Sequence, residues 1–316
     1  MARLTPKMFS LLNEDHIYKL HNKKIFTVLD FVSEDLEKLK NITELPVLSI
    51  ENIRKEIAER FSGIDKDPLI LLEQQRQFIS TGIKNLDDLL SGGLYACRIY
   101  EICGKSSSGK TQLCITLAAN IAINSSSDIH YIDTKKDFSA TRLQSILEAK
   151  KLSDEVIGGA MERVKVTSLK NITELLTVLH NFSSSFKANN DKDKPKLIII
   201  DSLPVIFSML EENTENFGSL NYLANVCRNL VTECCLSIVT VNLLRVWRDN
   251  DDLRELSADD PMDLVPHLGK YWINIPNTRL FIDKQDNETR EIKVLQSIDL
   301  EVNSSVQVTV DDTGFI

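Results

Sequence analysis

The sequence predicts an α/β fold: a mostly parallel sheet flanked by helices, extended along one edge by antiparallel strands, and preceded by a small helical module. Three observations predict it. From Ile79 onward, strand-like and helix-like segments alternate, as parallel βαβ units require. Beyond Thr278 the helices stop, and short strand-like segments follow one another across polar turns. Before residue 62, apolar residues recur at helical spacing.

The elements follow in order. Residues 1–62 read as a helical N-terminal domain, with Ile50, Ile53, Ile57 and Phe61 on one helix face. Ser33 reads as an N-cap, with Glu34 and Asp35 in the first turn. Acidic and basic residues balance in this stretch, so the acidic excess of the chain lies downstream. Residues 63–78 contain Gly63, Pro68 and the polar run Glu73–Gln77, and read as a linker. Its apolar stretch, Leu69-Ile70-Leu71-Leu72, either packs on its own domain or docks on a partner. Residues 79–316 form the core, with strands expected at 98–103, 128–133, 163–167, 196–201 and 236–242. Helices are expected at 111–122, 139–150, 171–186 and 219–235. Tyr271–Ile275, Thr278–Asp283, Glu288–Ser297 and Ser305–Val310 complete the set as strands.

One octapeptide carries the chemistry: Gly104-Lys105-Ser106-Ser107-Ser108-Gly109-Lys110-Thr111. It fits G-x-x-x-x-G-K-[ST], the phosphate-binding P-loop, at every fixed position. The glycines let the backbone curl until successive N–H groups point at one spot. That nest, continued by a helix N-terminus, binds phosphate oxygens. Lys110 adds a positive charge for the β- and γ-phosphates of ATP, and the Thr111 hydroxyl is suited to Mg²⁺. The flanks agree: Arg98–Cys103 is β-branched and aromatic, and Leu113, Leu117 and Ile121 follow at helical spacing. Lys196-Leu197-Ile198-Ile199-Ile200-Asp201 supplies the other half of a nucleotide site: a buried strand ending in a carboxylate, Asp201, placed to hold a Mg²⁺-bound water.

Composition narrows the class. A formal net charge of -9 argues against broad non-specific DNA binding through a basic surface, though not against a local basic groove. The six cysteines have no zinc spacing and no C-x-x-C, which predicts a reducing compartment. No signal-peptide pattern and no long apolar run is present, so no membrane association is expected.

Ile79–Leu94, with Thr81-Gly82-Ile83 and Leu86-Asp87 ahead of Gly92-Gly93, resembles the segment that introduces the ATPase core of the RecA-like recombinases. The P-loop follows at the matching distance. Tyr131-Ile132-Asp133-Thr134, Phe138 and Arg142-Leu143 resemble that family's next strand and helix start. Val239-Thr240-Val241-Asn242 resembles its sensor strand, and Thr278-Arg279-Leu280 and Glu288-Thr289-Arg290 its C-terminal hairpin. Thr27–Glu37 and Trp272 are similar to the D-type group of eukaryotic paralogues. The resemblance implies a RecA-like core, a nuclear location, ATP held with Mg²⁺, and Asn242 as a phosphate-sensing residue.

The departures matter as much. Where active members of the family carry the glutamate that activates water, this chain has Lys135. A lysine is no base at neutral pH, and losing a general base removes about 10²–10⁴ in rate. Asp133 and Asp137 are the nearby carboxylates. Leu243 stands where the family's glutamine faces the γ-phosphate. The family's two DNA-facing loops correspond to Leu203–Asn216 and Leu244–Lys270, and both are acidic here. An acidic loop repels phosphates; it is a solvated loop or a partner surface. Arg245-Val246-Trp247-Arg248 pairs an aromatic with cations, suited either to stacking on single-stranded DNA or to anchoring the loop base.

The resulting expectation is an ATP-binding recombinase paralogue with weak ATPase activity. It would act in homologous recombination and double-strand break repair within a paralogue complex that assists filament assembly on single-stranded DNA. The resemblance implies the C-type paralogue and a smaller paralogue as neighbours. The alternative is an active DNA-dependent ATPase that performs strand exchange itself. A small-molecule phosphotransferase would need an arginine-rich lid, which the sequence lacks.

Overall fold

The computed structural model describes all residues except 1–2, 7, 62–66, 189–194, 209–213 and 247–263. The chain divides into two compact units, Met1–Asp67 and Pro68–Ile316.

Among the described residues the first unit holds four helices: α1 (Glu14–Asn22), α2 (Val28–Ser33), α3 (Leu36–Thr43) and α4 (Val47–Phe61). Side-chain caps set their starts. The Asn13 side chain accepts from the His16 N–H, and Thr27 and Asp30 form a reciprocal capping box. Asp35 caps α3 by accepting from the Glu37 and Lys38 N–H groups, whereas Ser33, expected as the cap, is the last residue of α2. A carboxylate satisfies two orphan N–H groups at once and adds favourable charge at the helix start, so the boundary falls two residues later. Leu20, Phe31, Leu39, Ile50 and Ile53 are fully buried at the centre of this unit.

The second unit begins with α5 (Pro68–Arg76), a helix within the segment expected as a linker, on which Leu69, Ile70 and Leu72 are exposed. Then come β1 (Phe78–Ile79), α6 (Lys84–Leu89), β2 (Leu94–Tyr95), β3 (Ile99–Gly104), α7 (Lys110–Asn124), β4 (Ile129–Asp133), α8 (Ala140–Ala149), α9 (Asp154–Arg163) and β5 (Val164–Ser168). They are followed by α10 (Ile172–Ala188), β6 (Leu197–Asp201), α11 (Leu203–Ser208), α12 (Thr214–Cys234), β7 (Ser237–Val246) and β8 (Leu264–Pro266). The last elements are α13 (Gly269–Trp272), β9 (Thr278–Lys284), β10 (Thr289–Ser297), β11 (Ser305–Asp311) and β12 (Gly314–Phe315).

Among the described residues ten strands form the main sheet, in the order β12-β11-β10-β9-β3-β7-β6-β4-β5, with β8 paired to β7. β3, β4, β5, β6, β7 and β9 run parallel to their neighbours in the centre, and β10, β11 and β12 add antiparallel pairs at one edge. The order places β3, β6 and β7 side by side, so their C-terminal ends share one crevice, the usual ligand position in open α/β sheets.

Alternation along each strand splits the core in two. Leu197 and Ile199 of β6 join α7, α8 and α9 on one face; Ile198 and Ile200 join α10 and α12 on the other. Two expected elements differ. Tyr271–Ile275 is the end of α13 and the turn that follows it, not a strand; Trp272 is fully buried and its indole N–H reaches the Glu101 carboxylate. The first part of the expected Leu203–Asn216 loop is α11.

Replacing fully buried Ile53 with Ala removes packing at the centre of the first unit. The variant should lose about 2–5 kcal/mol of that unit's stability, read as an early transition in chemical denaturation of the full chain.

Candidate nucleotide site

The P-loop connects β3 to α7 as the sequence requires. Gly109 adopts φ +107°, a conformation that L side chains rarely adopt, at the turn into the helix. Gly104 is extended but crowded: a Cβ there would run into the Ile282 carbonyl oxygen of β9 and lie 2.8 Å from Ser108 Oγ. Both glycines are therefore required by the geometry of the loop.

Lys110 is buried and curls back over its own loop. Its Nζ donates to the carbonyl oxygens of Gly104 (3.0 Å) and Lys105, and lies 3.4 Å from Ser108 Oγ. Burial, and then the charge of Lys135, push its pKa from the ordinary 10.5 down to about 8.

Asp201 ends β6. The Tyr131 hydroxyl donates to Asp201 Oδ2 at 2.9 Å, while Asp201 Oδ1 is buried without a hydrogen-bond partner. Burial raises its pKa; the hydroxyls of Thr111 and Tyr131 and the charge of Lys135 pull the other way. An orphaned buried carboxylate oxygen near a threonine hydroxyl fits Mg²⁺, which takes one or two protein oxygens and completes its shell with phosphates and water. Asp201 and Thr111 would hold that ion, which when bound neutralises phosphate charge.

The site is a cavity of about 370 Å³ lined by Ser107, Lys110, Thr111, Lys135, Leu243 and Arg290, among others. Ser106, Gly109, Gln112 and Asp137 also reach it. The structure thus brings together Ser106, Ser107, Gly109, Lys110 and Thr111. Gly104, Lys105 and Ser108 support Lys110 from beneath. Asn242 is placed elsewhere. It is fully buried, its Nδ2 donates to Glu101 at 3.0 Å, and its Oδ1 accepts from the Leu243 N–H. The residue that β7 offers to the cavity is Leu243, which gives phosphate no donor.

Asp133 is also spoken for. Its Oδ1 accepts from the N–H groups of Lys135, Lys136 and Asp137, and its Oδ2 from that of Phe138. A carboxylate holding four backbone donors shapes the turn and is not a free base. Arg290 is a cavity residue that sequence reading placed only in a hairpin. Its Nε donates to the Ser108 carbonyl at 3.0 Å, bracing the P-loop from β10.

A larger hollow, about 690 Å³, lies between α1 and α3 in the first unit and is lined by Lys19, Lys23, Lys38, Asp35 and Glu37. Its charges are mixed, and Lys19 is already held by Asp15 and Glu44, so it reads as a solvated surface. Residues 209–213 and 247–263, with most of the acidic runs and the Trp247-Arg248 pair, lie outside the described residues.

The sequence profile of Rad51 matches residues 73–315. The chain belongs to the Rad51 family. A second profile, RAD51D, N-terminal domain, matches residues 1–57, so the first unit is similar to that domain. The chain is 28% identical over 279 residues to the DNA repair protein RAD51 homolog 4 of Bos taurus, covering 86% of this chain and 82% of that protein. The Mus musculus protein of the same name is 28% identical over 280 residues, with the same shares covered. The meiotic recombination protein DLH1 of Candida albicans is 26% identical over 310 residues, covering 94% of this chain and 92% of that protein. The core of the Rad51-family chain is accordingly a nucleotide-binding ATPase fold.

Two outcomes are expected. Gly104→Ala should cost about 1–3 kcal/mol through overpacking against β9, seen as a lower melting temperature. The second concerns pH. Between about 8 and 10.5 the unfolded chain keeps the Lys110 proton and the folded chain does not, so raising the pH through that window adds stability. The stability gap between a Lys110→Met variant and the unmodified chain should therefore shift in favour of the unmodified chain from pH 8 to 10.5. Nucleotide affinity should fall over the same window, because phosphate needs the charged lysine.

Proposed function

We propose that this Rad51 paralogue of recombination and DNA repair works as a nucleotide-gated assembly subunit: it binds ATP with Mg²⁺ in the P-loop cavity and turns it over slowly. The observation that carries this is the charge balance of the cavity. Three cations, Lys110, Lys135 and Arg290, surround it, while Asp133 is committed to backbone amides. Such a site holds a polyanion well and activates water poorly. A nucleotide that shapes a subunit need not be hydrolysed quickly; binding only the assembled form stabilises it by mass action. The partners proposed are related paralogues, the C-type and a smaller one, in a nuclear complex that assists recombinase filaments on single-stranded DNA.

One observation favours a second reading. Asp137 lines the same cavity and would be the candidate base of an active DNA-dependent ATPase.

The test is ATP binding and steady-state hydrolysis by the purified chain, with and without single-stranded DNA, beside Lys110→Arg and Asp137→Asn. Tight binding, near-background turnover insensitive to DNA, and loss of ATP-dependent paralogue capture in Lys110→Arg are expected. Robust DNA-stimulated turnover that Asp137→Asn lowers about 10²-fold or more would establish the second reading.

A further inference from the structure

The three cavity cations are not equivalent. The Lys110 ammonium is held by P-loop carbonyls. The Arg290 guanidinium is held by the Ser108 carbonyl and by the carbonyls of Asp286, Asn287 and Thr289 in its own turn. The half-buried Lys135 side chain makes no hydrogen bond and no ion pair among the described residues, although Asp137 shares the cavity. Its backbone, in contrast, is fixed. The Lys135 N–H donates to Asp133 Oδ1 at 3.1 Å. The preceding Thr134 hydroxyl donates to the Ser202 carbonyl (2.7 Å) and accepts from the Ser202 N–H (2.8 Å), tying this turn to the end of β6. An ammonium with no hydrogen-bond or ion-pair partner among the described residues thus stands on a rigid turn at the wall of an anion-shaped cavity. Partial burial of such a charge is costly until an anion arrives.

We propose that Lys135 is a binding residue for the terminal phosphate of a nucleoside triphosphate, reaching it from the β4 side of the cavity while Lys110 reaches it from the P-loop. This rests on the reading of the cavity as an ATP site. The P-loop amides cradle the first two phosphates, and Lys110 spans the second and the third. On this inference Lys135 adds its charge at the third phosphate alone, so the residue selects triphosphate over diphosphate. Because it adds positive charge beside the same phosphate, it would also lessen dependence on a bound Mg²⁺. A position that has lost a base has, on this inference, gained a clamp.

The experiment is calorimetric titration of the full chain with ATP and with ADP, in Mg²⁺ and again in excess chelator. It compares the unmodified chain, Lys135→Gln and Lys135→Arg, each checked by its thermal melt. Lys135→Gln should weaken ATP by about tenfold and ADP by less than about threefold, and should lose more affinity on chelation than the unmodified chain does. Lys135→Arg should keep the preference for ATP. Equal effects on ATP and ADP, or no effect on either, would overturn the proposal while leaving the ATP site standing. An unmodified chain that binds neither nucleotide would sink the parent reading and this one with it.

Discussion

The second unit depends on a carboxylate buried in the middle of its sheet. Glu101 lies on β3, the strand that joins β7 on one side and β9 on the other, and it is completely shielded from solvent. Its Oε1 accepts from Arg279 Nε of β9, and its Oε2 accepts from the Trp272 indole and the Asn242 amide. Arg279 in turn donates to Gln296 and to the carbonyls of Trp272 and Ile273. A buried pair of this kind gains little over an apolar core, yet losing one partner costs about 3–5 kcal/mol. Its effect is geometric. It fixes β7, β9 and the turn after α13 around the strand that runs, three residues later, into the P-loop.

The same network explains the chemistry of the cavity. Asn242 is committed to Glu101, and the next residue along β7, Leu243, takes the place facing the cavity. The site therefore depends on charge more than on directed polar contacts, with cations contributed by the P-loop, the turn after β4 and the C-terminal hairpin. Those three segments are held by bonds to main-chain groups: Lys110 to its loop, Asp133 to its turn, Arg290 to Ser108. Main-chain anchoring leaves the cavity wall preorganised before any ligand arrives.

The parts legible in the sequence were those where chemistry forces residue type and spacing together. The P-loop needs its glycines and lysine at fixed intervals, and a buried strand ending in Asp201 needs an unbroken apolar run. Other features depend on facing, which sequence periodicity does not supply. Nothing local says whether Asn242 or Leu243 meets the cavity, since adjacent strand residues simply point to opposite faces. Arg290 reaches Ser108 across 182 positions of chain, and no short-range pattern encodes that contact. The apolar run Tyr271–Ile275 imitates a strand, but Trp272 turns inward to Glu101. Helix α9 escaped because Gly158 and Gly159 sit inside it. Glu101 itself left a readable trace: a carboxylate within an otherwise apolar strand announces a buried partner.

The C-terminal strand adds a dimension of time. Phe315 is buried behind the P-loop, where a Cβ on Gly109 would come within 3.2 Å of its ring, and its N–H donates to Thr116 of α7. Arg142 holds the carbonyls of Asp311 and Asp312 just ahead of it. The residue that backs the phosphate loop is thus made 206 positions after that loop (315 − 109). At ribosomal speeds of about 5–20 residues per second, the delay is on the order of ten to forty seconds. During that interval the nascent chain carries a complete nucleotide-binding motif without its backing. A ribosome stalled short of the final strand would display the sequence of the site and lack the wall behind it.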